Sequence, residues 1–370
     1  MILVLGAGYA GLAAAVQLAA RRVPVTLVNA QDRFTERLRL SLTATGQQVA
    51  DLRIPDLLAA TSASFVPGRV TALDPKAHTV RVDDEHTLHY STLVYALGSV
   101  ADTADPHAYT LNSATDAARL ARRLTGLDRG TVVVVGSGLT GVESAAEIAE
   151  RFPALTVVLA GRTEPGAGLH PRARKHLLAA LDRLGVRLRG GVTGLHPGRV
   201  DFADGTSLDA DAVLWTGGTR VAPLAADAGL AVDGNGRIVT DGTLRSVSHP
   251  DVYAVGDAAA IRQPYGLMHG TCQGGMPTGV HAALSICGGP RPFRFGYYHT
   301  PISLGRHDAV VQFTRPDDSP RRIVLTGRLA VRYKEAVTAA PWPAYRRMLR
   351  LPASGAWWPR GGRFTRAAAR

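Results

Sequence analysis

Cysteine is nearly missing from this sequence: Cys272 and Cys287 are the only two in 370 residues. They lie too far apart for a CxxC pair, which excludes a disulfide framework and a cysteine-ligated zinc site and suits a reducing cytoplasm. Long hydrophobic runs are missing as well. No stretch of eighteen apolar residues is free of charge or glycine, so no membrane span is expected. The first twenty residues lack the basic segment that precedes the apolar run of a secretory signal, and they are not read as one. Lysine is scarce, with Lys76, Lys175 and Lys334 the only three among 42 basic residues. We attach no function to that bias. Acidic residues are few at one end: from Arg291 to Arg370 there are sixteen basic residues against four acidic, a difference of +12 that equals the net charge of the whole chain. What remains is a globular composition, 46% apolar, long enough for two or three domains.

Two stretches are near copies. "MILVLGAGYAGLA" opens the chain and "TVVVVGSGLTGVE" occupies residues 131–143. Each has an unbroken apolar run, as expected for a strand of a parallel sheet buried on both faces, then GxGxxG: Gly6, Gly8, Gly11 and Gly136, Gly138, Gly141. The first glycine makes the turn, the second lets backbone approach a pyrophosphate, and the third lets helix pack on strand. The helix start then offers free N–H groups and a positive dipole end. An alanine-rich helix and a second strand follow each loop, so the pattern is βαβ twice. Two copies in this context predict two bound dinucleotides, one a flavin and one a nicotinamide.

With these motifs in view, the sequence resembles the two-dinucleotide flavoproteins of the pyridine nucleotide–disulfide oxidoreductase fold. "LVYALGS" (93–99, with Gly98) and "AVLWTGG" (212–218, with Gly217) are similar to the turns that close its two halves. "VYAVGDAA" (252–259) resembles its second flavin motif, which implies that Gly256 and Asp257 bind FAD, the aspartate at the ribityl chain. The segment where disulfide reductases of this fold carry their cysteine pair reads "RFTERLRLSLTATG" and has none. Electrons would therefore leave reduced flavin directly. The nearest branch is the type II NADH dehydrogenases, on "GLTGVE" and on "TCQGGMPTGVHAALSI" (271–286). The resemblance implies Thr271, Gln273 and Glu143 at the reacting face, Glu143 as a proton relay. The second glutamine of that branch's quinone site is Pro277 here, and proline is expected to kink the helix. Quinone is thus one candidate acceptor among other small molecules.

At the ribose-binding ends of the second strands stand Asn29 in the flavin half and Ala160 in the nicotinamide half, the latter followed by Gly161 and Arg162. Without an acid there, and with an arginine next to it, a 2′-phosphate is admitted, so NADPH as well as NADH is an expected hydride donor; Arg162 is alternatively a solvated loop residue. Glu143 in turn has a second reading, as a carboxylate stabilised by a helix N-terminus. His269 and His281 lack ligand spacing, and no metal is expected. The tail from Pro341 combines Trp357 and Trp358 with many arginines, a composition suited to an anionic membrane surface or, alternatively, to an arm docked on the protein. No nucleic-acid motif accompanies its charge, so no nucleic-acid partner is expected, and no oligomeric state is assigned.

The expected architecture is α/β: a discontinuous FAD domain (1–112 and 246–290), an NAD(P)H domain (113–245) and a C-terminal α+β region (291–370). The expected activity is FAD-dependent NAD(P)H:acceptor oxidoreduction, cytoplasmic or peripheral on the inner membrane face. The competing reading is a flavin-binding redox sensor that acts through its basic tail.

Overall fold

The computed structural model describes residues 1–103 and 105–366. Two parallel sheets organise it. The first has five strands in the order Val252–Ala254, Thr92–Tyr95, Ile2–Leu5, Val25–Asn29, Ala63–Pro67, every neighbour parallel. Its outer strand Val252–Ala254 comes from far along the chain, after the second sheet has formed. That second sheet orders Arg187–Arg189, Leu155–Ala160, Gly130–Val135 and Ala212–Trp215, again parallel. Valines 132 to 134 are fully buried, as strands covered on both faces require. The helix Ala114–Thr125, capped by the Ser113 hydroxyl on the Asp116 N–H, connects the two.

The third glycines of both loops sit where no other residue fits. A Cβ on Gly11 would lie 1.9 Å from the Gly6 carbonyl oxygen, and one on Gly141 would lie 1.7 Å from that of Gly136. The helices Tyr9–Ala19 and Leu139–Arg151 can therefore start directly above their strands. A further close approach is less visible in sequence. Helix Cys272–Gly288 lies on Tyr9–Ala19 so tightly that a Cβ on Gly279 would stand 1.9 Å from the Ala10 carbonyl oxygen. The expected kink at Pro277 does not interrupt this helix, which runs from Cys272 to Gly288 with Pro277 buried inside it. Pro277 is only the sixth helical residue, so its missing N–H removes one bond near the start and leaves the rest intact.

The C-terminal region is an antiparallel sheet, His299–Ser303, Ala309–Thr314 and Pro320–Thr326, followed by helices Gly327–Ala339 and Pro341–Arg350. Ile302, Leu304 and Val310 join the core of the second parallel sheet. The tail is a docked arm. The Tyr345 hydroxyl donates to the Tyr9 carbonyl at 3.0 Å, the Gln17 amide donates to the Pro352 carbonyl at 3.1 Å, and the Trp358 indole N–H donates to the Arg294 carbonyl at 2.9 Å. Tyr345 and Met348 are thus spent on the protein's own core. Arg346, Arg347, Arg350 and Trp357 remain exposed, and residues 367–370 of the tail lie outside the described residues.

Gly279→Val forces side chain into the Ala10 backbone and should destabilise by about 3 kcal/mol or more. Thermal unfolding beside Gly234→Val, where a Cβ meets nothing within 4 Å, measures it; equal melting temperatures for the two variants would show that the helix contact is slack.

Candidate active site

The two glycine loops present similar surfaces. Gly6 and Gly136 turn with φ of +91° and +111°, and Gly8 and Gly138 cap their helices with no side chain bonded to the free N–H groups. A Cβ on either cap would project into open space. Such a bare, positively polarised backbone cradle fits the pyrophosphate of a dinucleotide. Asn29 is turned partly inward: its side-chain oxygen accepts from the Ala7 N–H at 2.9 Å and its NH2 donates to the Gln31 carbonyl at 2.7 Å, so it braces the loop expected to hold the cofactor. Beyond it opens a cavity of about 600 Å³ lined by Ala30, Asp32, Phe65 and Pro67, of a size that takes a nucleoside.

The second flavin motif meets the close-packed helix. Gly98 and Gly256 have φ of +68° and +64°. The Ser99 hydroxyl donates to Asp257 at 2.9 Å, and Thr278 accepts from the Gly256 N–H at 3.0 Å. Asp257, Gly256, Thr271 and Met268 line a small cavity of about 20 Å³. Thr271 is the N-cap of helix Cys272–Gly288, its hydroxyl accepting from the Gly274 N–H at 3.2 Å. Ser99 and Thr278 lie inside the stretches 93–99 and 271–286, although neither was singled out there.

Gln273 follows two residues after Thr271, but its amide is occupied. It donates to the His299 carbonyl at 2.9 Å and accepts from the Tyr298 N–H at 3.0 Å. It therefore ties the C-terminal sheet to the helix start. Cys272, beside it, is half-buried, and desolvation pushes its thiol up to about 11, with Lys334 opposing and Asp257 and Glu143 adding to the shift. It is no nucleophile at neutral pH.

Glu143 lies on the fifth position of its helix, past the first turn, so a helix-dipole reading of it fails. It faces the C-terminal region instead. Its Oε1 is 2.6 Å from Lys334 Nζ and accepts from the Ser303 N–H at 2.9 Å. Both side chains of the ion pair are nearly enclosed, 13% and 10% exposed. Next to them His299 is held neutral, lowered to about 4 by burial and by the Lys334 charge, with its Nδ1 2.7 Å from the Tyr333 hydroxyl. Lys334 is the partner of Glu143 that the motifs miss; its rarity, one of three lysines, was the only signal.

In the nicotinamide half, Ala160 is fully buried at the strand end and Arg162 is exposed. Arg162 makes no ion pair among the described residues, and its Cγ stands 3.1 Å from where a Cβ on Gly191 would be. Gly136 and Gly217 are packed together, the Gly217 N–H being 2.7 Å from a Cβ placed on Gly136. No group of three His, Cys, Asp or Glu side chains that could hold a metal occurs among the described residues.

Known proteins share this plan. An NADH dehydrogenase-like protein of Mycobacterium tuberculosis is 31% identical, over 91% of this chain and 92% of its own. A type II NADH:quinone oxidoreductase of Staphylococcus saprophyticus is 27% identical over 84% of this chain and 88% of its own. The structure of NDH2 from Plasmodium falciparum, in complex with NADH, superposes with a TM-score of 0.79 at 14% identity, covering 97% of this chain and 98% of that one. A water-forming NADPH oxidase bound to NADPH superposes with a TM-score of 0.72 at 20% identity, covering 85% of this chain and 75% of that one. The family described as pyridine nucleotide-disulphide oxidoreductase matches residues 1–284, and the chain belongs to that family.

Proposed function

We propose that this protein is an FAD-dependent NAD(P)H oxidoreductase that passes electrons, without a redox disulfide, to a quinone-like small acceptor. The observation that carries the reading is the enclosed Glu143–Lys334 ion pair beside the start of helix Cys272–Gly288. Bound FAD would supply the chemistry, accepting hydride from NAD(P)H and returning electrons to the acceptor. The chain supplies the rest. Gly6, Gly8 and Gly11 hold the pyrophosphate of one dinucleotide and Gly136, Gly138 and Gly141 that of the other, while Asp257 holds the ribityl chain. Thr271 and the free N–H groups after it turn a positive helix end toward the reacting face, favouring negative charge there. Glu143 relays a proton toward the acceptor, and Lys334 fixes its carboxylate in place.

Lys334 also ties the acceptor side to the tail, because helix Gly327–Ala339 leads straight into Pro341–Arg350. Arg346, Arg347, Arg350 and Trp357, the last 84% exposed, form a basic, aromatic surface there. That surface suits a peripheral contact with anionic lipid. Among the described residues no helix is long and apolar enough to cross a membrane.

Glu143→Gln should slow reoxidation by a short-chain quinone by about tenfold or more, within the range of a lost general acid, and leave reduction by NAD(P)H nearly unchanged. Stopped-flow measurement of the two half-reactions decides it, and equal slowing of both would refute the relay. Long-chain menaquinone should be a poor substrate beside short-chain quinones, since Pro277 replaces a polar side chain on the acceptor helix.

NADPH should be used at least as well as NADH. A phosphate contact from Arg162 is worth about 1.5–3 kcal/mol, so Arg162→Ala should lower kcat/KM for NADPH about tenfold or more and spare NADH; a wild-type preference of about tenfold for NADH would overturn the assignment.

Sedimentation with anionic vesicles should weaken when Trp357, Arg346 and Arg347 are replaced together by serine. Undiminished binding by that variant, or none by the wild type, would remove lipid from the reading. Deleting the whole tail is no substitute, because Tyr345 and Trp358 belong to the core.

A further inference from the structure

One turn beyond Glu143 the same helix carries Glu147, 1% exposed and without a close cation. Its nearest, Arg306, is 4.0 Å away. Glu147 Oε2 accepts from the Gln47 amide at 3.1 Å, and Oε1 lies 3.5 Å from the Ser303 hydroxyl. That hydroxyl donates its single proton to the Gly305 carbonyl at 3.0 Å, which leaves Ser303 Oγ free as an acceptor. Glu147 is thus held by one well-formed hydrogen bond, from Gln47 to Oε2, and by a long contact of Oε1 with the Ser303 hydroxyl. As a carboxylate it would have only Arg306, at 4.0 Å, to offset its burial beside Glu143 and Glu150. Burial raises the Glu147 pKa, as do the charges of Glu150 and Glu143, while Gln47 and Arg306 lower it.

Ser303 touches both carboxyl groups, its N–H on Glu143 and its hydroxyl facing Glu147. The outer side of the cluster is wet. Arg306 reaches Glu335 at 3.2 Å, and both side chains are more than a third exposed. Arg39 meets Glu335 from the first domain, Glu150 takes the Arg306 N–H, and Lys334 remains bound to Glu143.

We propose that Glu147 is a positioning residue that stores, as a carboxylic acid, the proton Glu143 gives up to the acceptor, and that it is refilled from solvent at the Arg306–Glu335 edge. The demand follows from stoichiometry. NAD(P)H gives two electrons and one proton as hydride, whereas reducing a quinone to its quinol consumes two electrons and two protons. One proton must therefore come from water in each turnover, and Glu147 stands between Glu143, which it meets through Ser303, and the half-exposed Arg306. The inference rests on the quinone-like reading of the acceptor.

The test compares Glu147→Gln, which keeps the shape and an acceptor for Gln47, with the wild type on two oxidants. Ferricyanide takes electrons without protons, and a short-chain benzoquinone takes both. The ratio of the quinone rate to the ferricyanide rate should fall about tenfold or more; in the wild type the ratio should decline as pH rises through the Glu147 titration, and that dependence should vanish in the variant. Independently of turnover, carbon-13 NMR of glutamate-labelled protein should show one carboxyl titrating above the ordinary glutamate range that disappears in Glu147→Gln and shifts in Glu143→Gln. Equal slowing with both oxidants, an unchanged ratio, or the absence of that carboxyl resonance would overturn the proposal. A wild type that reduces ferricyanide but no quinone would overturn the acceptor reading instead, and the NMR titration would still report the state of Glu147.

Discussion

The contact of Gly279 with the Ala10 carbonyl governs the rest of the site. Two helices far apart in sequence approach until backbone meets backbone, and only glycine permits it. Because the first of them begins at the flavin-type glycine loop, the second is fixed in height and angle over that loop. Its start, Thr271 to Gln273, then has one place to be. Gln273 passes this precision on by holding Tyr298 and His299 through both ends of its amide, and the sheet that begins there presents Ser303 to Glu143. The Lys334 ammonium completes the sequence from the other side. A shift of the first contact would therefore displace the Glu143 carboxylate although no residue near Glu143 had changed.

Most of the scaffold was legible because its requirements are local. A tight turn, an open cradle and a close helix each need glycine at a fixed offset, and Gly6 to Gly11 and Gly136 to Gly141 state those needs within six residues. Asp257 could be read for the same reason, since its motif is contiguous. Glu143 was legible as a residue but not as an environment: the partners that define it, Ser303 and Lys334, are 160 residues or more away, and pairing at that distance leaves no periodic trace. Pro277 misled by the opposite route. A local rule predicted a kink, while burial against the neighbouring helix and its place near the helix start keep the chain helical.

The tail shows how composition and position differ. Trp357 and Trp358 are identical neighbours, yet one is 84% exposed and the other 9%. The buried ring lies against Phe293 and His281, and burial lowers His281 to about 4, so it adds no charge beneath the arm at neutral pH. The fold turns Tyr345 and Trp358 inward and leaves Trp357 outside with the arginines.

The hydrogen bonds from Tyr345 to Tyr9 and from Gln17 to Pro352 join residues 336 and 335 positions apart. During synthesis the helix Tyr9–Ala19 leaves the ribosome long before the segment that covers it, so one of its apolar sides stays bare while more than three hundred further residues are made. The nascent chain is thus exposed to aggregation for most of its translation time, and native closure is slow because it waits on contacts of very high sequence separation. Yield in a foreign host should accordingly depend more on elongation rate and chaperone supply than on the stability of the finished molecule.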